Sequence, residues 1–138
     1  MKISDIQRYD SKKMHETYDK WPEIAQENYN KDLTKTQFKN IDHIIFAGVG
    51  GSGTIGDVIS SILSKNDIHV NVVKGYLLPK TVDHNTLIIT TSVSGNSKEA
   101  LTILQNVKKS KGKFLAFSSG GKIKNYSIKN KIPYYEIP

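Results

Sequence analysis

The 138-residue chain has no cysteine and only one arginine, Arg8. Without cysteine there is no disulfide and no thiolate nucleophile. Long apolar runs are missing as well: stretches such as Ile44-Ile45-Phe46-Ala47 are far too short to span a bilayer. Met1-Lys2-Ile3-Ser4-Asp5 opens no apolar signal-peptide region, so a cytoplasmic protein without membrane contact is expected. No His-Glu-x-x-His or comparable spacing offers a metal site, and there are no repeats and no low-complexity linker.

What is present is the composition of a soluble globular protein, 37% apolar and 24% charged, at a length that suits one ordinary domain. The net charge of +7 has a location. Residues 1–42 hold eight basic and eight acidic side chains, and residues 43–97 hold three of each. Residues 98–138 set nine lysines against Glu99 and Glu136. Those lysines are spread over a helix, a strand edge and a loop, without the aromatic interleaving typical of stacking platforms, so nucleic acid is not the expected partner. A solvated lysine face and a field for an anionic ligand are the two readings.

The periodicity predicts a helical lead-in over residues 1–42, with helices at 4–19 and 22–39. Trp21-Pro22 sets the start of the second, and Ile24, Ala25, Tyr29, Leu33 and Phe38 fall at helical spacing. Then follow strand 43–47, helix 53–64, strand 68–73, strand 86–90, helix 97–110, strand 113–117, a short helix at 121–129 and strand 134–137. Buried apolar runs separated by helices make this an α/β chain with a parallel sheet covered on both faces and a ligand at the carboxyl ends of the strands.

Two turns stand out at those ends. Gly48-Val49-Gly50-Gly51-Ser52-Gly53 follows the first strand, and Ser92-Val93-Ser94-Gly95-Asn96-Ser97 follows the third. A helix opening after a strand presents unpaired backbone N–H groups and the positive end of its dipole. Glycine lets the backbone come close to a ligand, and serine adds short, adjustable donors. Two such turns at one sheet edge suit the two sides of a phosphate. Gly48, Gly50 and Gly53 also satisfy the dinucleotide pattern G-x-G-x-x-G. That site requires an acidic residue near the end of the second strand, where Val72-Val73-Lys74-Gly75 stands instead, so NAD is disfavoured and NADP would rest on one lysine.

Together with Val73-Lys74-Gly75-Tyr76-Leu77-Leu78-Pro79 and Ser119-Gly120-Gly121-Lys122-Ile123, the two turns resemble the sugar isomerase (SIS) domain. More narrowly, their order resembles the amino-terminal half of the archaeal-type bifunctional phosphoglucose/phosphomannose isomerases, over about residues 22–138. The resemblance implies a three-layer α/β/α SIS domain over residues 43–138, with a five-stranded, flavodoxin-like parallel sheet and a site for the phosphate of a six-carbon sugar phosphate. It implies that Ser52, Ser92, Ser94 and Ser97 hold the phosphate, with the amides of Gly50 and Gly51. The residues themselves agree on Ser94, Ser97 and the nearby amides. Ser92 could equally end the strand, Ser97 could be a helix N-cap, and Asn96 could only hold the turn. For Glu99 the resemblance implies a substrate hydroxyl contact or a loop-holding role. Val93, Ser97, Ala100 and Lys74 depart from the usual family residues, and Lys74 in place of an arginine loses any bidentate grip.

The same resemblance places the base glutamate, the ring-opening histidine and a lysine in a second SIS domain. Aldose–ketose isomerisation needs a proton-moving base, a ring-opening acid–base group and a cation beside the enediolate. His15, His43, His69 and His84 read as structural or solvated, and Asp57 as solvated or locally paired. The expectation is therefore a domain that binds a sugar phosphate without cofactor or metal and is inactive alone, belonging to a glucose 6-phosphate/mannose 6-phosphate isomerase. Its partner is a second SIS domain or a second copy of itself. The alternatives are a stand-alone module that senses a phosphosugar and regulates a partner, and an NADP-binding fragment.

Overall fold

The computed structural model describes residues 3–31 and 36–138, and these form two separate units. The first contains three short helices, α1 (Ile3–Tyr9), α2 (Met14–Asp19) and α3 (Trp21–Tyr29). A single helix over 4–19 is thus interrupted at residues 10–13, where Lys13 takes a left-handed φ of 53°. The break has a local cause. The Asp10 carboxylate accepts the His15 backbone N–H at 2.8 Å and lies 2.7 Å from its ring Nδ1, so a side chain ends one helix and caps the next. Pro22 stands in the first turn of α3, as its chemistry requires. The second expected helix, 22–39, stops at Tyr29. Asn28, which donates to the Ile24 carbonyl at 2.7 Å, and Asn30, the C-cap, close its last turn. Residues 32–35, including Leu33, lie outside the described residues, and residues 36–39 are not helical.

The second unit is an alternating α/β domain: β1 (His43–Ala47), α4 (Gly51–Leu63), β2 (His69–Val73), β3 (Thr86–Ser92), α5 (Lys98–Gln105), β4 (Lys113–Ser118), α6 (Gly121–Lys129) and β5 (Tyr134–Glu136). All strands are parallel, in the order β2-β1-β3-β4-β5, so the expected five-stranded flavodoxin-like sheet is present. Residues 36–42 belong to this unit: the Tyr135 hydroxyl lies 2.7 Å from Thr36 Oγ1, and Lys113 donates to the Lys39 carbonyl at 2.6 Å. Some element bounds differ from the sequence reading. α4 opens at Gly51 in place of residue 53, and β2, β4 and β5 each shift by one residue at one end. β3 runs on to Ser92, and α5 ends at Gln105 with a 3-10 turn at Asn106–Lys108 in place of helix to residue 110.

Strand alternation sorts the core. Ile45, Ile88, Phe114 and Ala116 face α5 and α6, meeting Ile103, Leu104 and Ile123 in the fully buried cluster. The β2–β3 crossover, residues 74–85, has no helix and sends Leu78 and Val82 into the same cluster. On the opposite face α4 packs over β1 and β2. Beside it an open apolar groove of about 350 Å³ remains, lined by Ile59, Ile89, Leu115, Phe117 and Ile137. No helix among the described residues is long and apolar enough to cross a membrane.

Candidate functional site

The two Ser/Gly turns leave the carboxyl ends of β1 and β3, which are neighbours in the sheet with Ala47 opposite Thr90. From β1 the chain moves outward to β2, and from β3 it moves the other way to β4. This is the point of a parallel sheet where connections diverge and a crevice opens between the loops. The distance of the turns in sequence therefore gives way to adjacency in space.

The first turn bends at Gly50, whose φ of 57° and ψ of −134° are open only to glycine, and α4 begins at the next residue. The intrahelical ladder starts with Thr54 N–H donating to the Gly50 carbonyl, so the N–H groups of Gly51, Ser52 and Gly53 have no partner within the helix. No side chain caps this terminus. Ser52 is half-buried and stands in the first turn.

The second turn is bonded more tightly. Ser92 ends β3 and is 1% exposed, and its hydroxyl lies 2.8 Å from that of half-buried Ser97. Gly95 N–H donates to the Ser92 carbonyl at 3.0 Å. Ser94 is exposed, its Oγ accepting the Asn96 N–H at 3.3 Å. Asn96 returns a side-chain bond to the Ser94 carbonyl at 2.9 Å, and its Oδ1 accepts the Lys122 N–H at 3.3 Å. Ser97 occupies the N-cap position of α5 without a side-chain capping bond, because its hydroxyl is engaged with Ser92. The turn carrying Gly50, Gly51 and Ser52 and the turn carrying Ser94 and Ser97 thus leave neighbouring strands, with Ser92 bonded to Ser97 and Ser52 also lining the apolar groove beside α4.

Polar and charged side chains of this unit are paired. The Tyr76 hydroxyl donates to Glu99 Oε1 at 2.9 Å, tying the β2–β3 crossover to the first turn of α5. The Glu99 carboxyl is held below its ordinary value by its own backbone N–H and by Tyr76, while the Tyr76 phenol is pushed up by the carboxylate. Lys74, at the end of β2, donates to Asp57 of α4 at 2.6 Å. Lys124 makes the same bond to Glu136 at 2.6 Å, which raises the lysine above its ordinary value. A dinucleotide ribose would look for a free acidic side chain at the end of β2 and would meet this Lys74–Asp57 pair instead.

The histidines of this unit lie at the other end of the sheet. His43 and His69 open β1 and β2, and His84 precedes β3 in the crossover. His43 is buried, with Nε2 2.8 Å from Asn71 Oδ1 and Nδ1 3.2 Å from Thr86 Oγ1. A five-residue strand separates them from the turns by roughly 15 Å. Among the described residues no three His, Asp or Glu side chains gather as a metal site would require. The arrangement supplies neutral hydroxyl and amide donors for an anion and no imidazole beside them.

Sequence reasoning missed Tyr76 and the pairing of Lys74 with Asp57, since both join segments more than 15 positions apart that no local spacing connects.

The SIS domain family model matches residues 37–127. The bifunctional phosphoglucose/phosphomannose isomerase of Caldicellulosiruptor bescii is 34% identical over 129 residues, which is 91% of this chain and 38% of that protein. The enzyme of the same name from Aquifex aeolicus is 35% identical over 120 residues, 86% of this chain and 34% of that one. The chain therefore spans little more than a third of the length of the curated relatives it matches. Among solved structures, tagatose-6-phosphate ketose/aldose isomerase from Escherichia coli superposes with a TM-score of 0.55 at 19% identity, covering 72% of this chain and 30% of that chain.

Proposed function

The chain belongs to the SIS domain family, and from that premise we propose that residues 36–138 hold the phosphate of a six-carbon sugar phosphate between the β1–α4 and β3–α5 turns. One observation carries the reading: two helix N-termini, each opened by a Ser/Gly turn, meet at the divergence point of the sheet. Ser52, Ser94 and Ser97 donate hydroxyl bonds to the phosphate oxygens, the amides of Gly50 and Gly51 and of the first turn of α5 add backbone donors, and Ser92 fixes Ser97 from behind. Asn96 supports the turn. Glu99, kept ionised, accepts a sugar hydroxyl through the oxygen that Tyr76 leaves free.

The reaction this binding serves is interconversion of glucose 6-phosphate or mannose 6-phosphate with fructose 6-phosphate, in keeping with the names of the relatives at 34% and 35% identity. It needs a base for the proton on adjacent carbons, a ring-opening group and a cation for the enediolate. Within residues 36–138 the histidines lie at the opposite end of the sheet, and Lys74 and Lys124 are held by Asp57 and Glu136. A second SIS domain, in the same protein or a partner chain, supplies those groups. The 138-residue chain alone turns over sugar phosphate at little or no rate in a coupled assay, and enzyme-like turnover would overturn that part.

Calorimetric titration with fructose 6-phosphate tests the site, with fructose, inorganic phosphate and NADP as controls. Binding that requires the phosphate and is lost in the Ser94→Ala/Ser97→Ala variant is the expected result. Binding of NADP alone would overturn it.

A further inference from the structure

We propose that the β4–α6 turn, residues 118–122, is a brace that aims the β3–α5 turn at its ligand, and that Asn96 is a positioning residue acting through this brace. The inference rests on the anion site described above but concerns a different element.

The argument begins with where each polar group of the β3–α5 turn points. A turn that binds an anion through N–H groups must send its carbonyl oxygens elsewhere, since each carries partial negative charge. Here they go to the β4–α6 turn. The Val93 carbonyl accepts both the backbone N–H of Ser119 at 2.9 Å and its hydroxyl at 2.5 Å. The Gly95 carbonyl accepts the N–H of Ile123 at 3.0 Å. Asn96 Oδ1 accepts the N–H of Lys122 at 3.3 Å, while its Nδ2 donates to the Ser94 carbonyl at 2.9 Å. The Val93, Ser94 and Gly95 carbonyls are thereby all engaged within the two turns.

The same bonds take two of the three opening N–H groups of α6, those of Lys122 and Ile123, which would otherwise be free at this helix end. The brace is itself fixed: Ser118 Oγ donates to the Gly120 carbonyl at 2.8 Å, and the Tyr134 hydroxyl donates to the Ser118 carbonyl at 2.6 Å. Backbone contact between the turns is so close that a side chain at Gly95, where φ is 67°, would place its Cβ 1.9 Å from the Gly120 carbonyl oxygen. The Lys122 side chain lines a separate groove with Leu101, Gln105 and Tyr126, between α5 and α6. Asn96 is thus the one side chain that links the turn to the brace by bonds at both ends.

The experiment uses the full chain with Asn96→Ala, Ser94→Ala and the double variant, and with Ser119→Ala beside Ser119→Thr. Fructose 6-phosphate and inorganic phosphate are the titrants, and amide hydrogen exchange of residues 94–98 is measured without ligand. Asn96→Ala is expected to weaken fructose 6-phosphate binding about tenfold, the scale of a sub-ångström misplacement of donors. It should speed exchange in residues 94–98 while the melting temperature stays within about 3 °C, the size of a surface change. Ser119→Thr should keep the affinity that Ser119→Ala reduces. In the double variant the loss should be smaller than the product of the single losses, because Asn96 acts through the turn that carries Ser94. Unchanged exchange in Asn96→Ala overturns the brace whether or not a ligand binds. Losses that multiply fully would make Asn96 a direct ligand contact and overturn its positioning role. A wild-type chain that binds neither titrant, yet shows loosened exchange in Asn96→Ala, would leave the brace standing and overturn the phosphate site.

Discussion

The Ser92 hydroxyl lies 2.8 Å from the Ser97 hydroxyl, and Ser97 is half-buried where Ser92 is only 1% exposed. In the site proposed above, a phosphate oxygen meets Ser97 first, with Ser92 fixing its rotamer. Removing Ser97 takes away a donor aimed at charge, whereas removing Ser92 takes away that donor's support.

Ser97→Ala is expected to weaken fructose 6-phosphate binding by roughly ten- to a hundredfold, a lost hydrogen bond to a charged group being worth about 1.5–3 kcal/mol. Ser92→Ala should weaken it only a few-fold and lower stability by about 1 kcal/mol, the ordinary net value of a buried hydrogen bond. Titration paired with a denaturant melt separates the two. An equal loss of affinity in both variants would put Ser92 in direct contact with the ligand.

Asp10 ties α1 to α2, and its carboxyl is drawn down to about 2, first by the His15 backbone N–H, then by the His15 ring and the Met14 N–H. A lowered acid stabilises the folded form above its unfolded value of about 3.8, and that contribution fades as pH falls from there through the folded value. The helical N-terminal unit should therefore hold its α1–α2 break at pH 5 and lose it between roughly pH 4 and 2. The Asp10 side-chain carbon, followed by NMR, is expected to titrate with a midpoint near 2. A midpoint at the ordinary aspartate value would show that the His15 bonds do not persist in solution. Asp10→Ala should fray α2 at neutral pH.

Lys74 and Asp57 form a 2.6 Å pair in which each side chain is about half exposed, 52% and 48%. Exposed pairs of this kind contribute about 0.2–1 kcal/mol, so Lys74→Ala should change stability by less than about 1 kcal/mol. Because the lysine is held by Asp57, the variant should also keep fructose 6-phosphate affinity within about threefold, a difference below 1 kcal/mol. A larger loss would mean that Lys74 leaves Asp57 for the phosphate. Asp57→Ala, which releases the lysine, is the companion measurement.

The parallel sheet and both Ser/Gly turns were legible in the sequence because each is local: an apolar run, a Gly/Ser turn and an amphipathic helix follow one another within about 20 residues. The N-terminal helices were less so. A single period covers 4–19, and nothing in it marks Asp10 as a side chain that would cap His15 and break the helix. Phe38 falls at helical spacing, yet residues 36–39 are bound along the α/β unit by Tyr135 and Lys113, partners roughly 75 to 100 positions away. In the two turns, serine identities marked the candidate donors. Which serine faces outward was set by strand alternation once β3 ran on to Ser92. The bonds from Ser119 and Lys122 that orient the second turn are invisible to any local window.

Thr90 shows what the same alternation costs in the core. It sits on β3 between Ala47 of β1 and Ala116 of β4, on the face packed by α5 and α6, and is fully buried. Its Oγ1 has no hydrogen-bond partner in the protein. A hydroxyl taken from water without a partner costs about 1–3 kcal/mol, and valine has nearly the same shape and an equal or better strand preference. Thr90→Val is therefore expected to stabilise the chain by about 1 kcal/mol, a rise of roughly 3 °C in melting temperature at this length. Thr90→Ser keeps the orphan oxygen and removes the methyl group, so it should destabilise by about 1 kcal/mol, one buried carbon's worth of transfer and cavity. The two substitutions thus move in opposite directions if the oxygen is unpaired. A Thr90→Val variant that melts lower than the wild type would show that an internal water satisfies Oγ1, which places a bound solvent molecule two residues below Ser92.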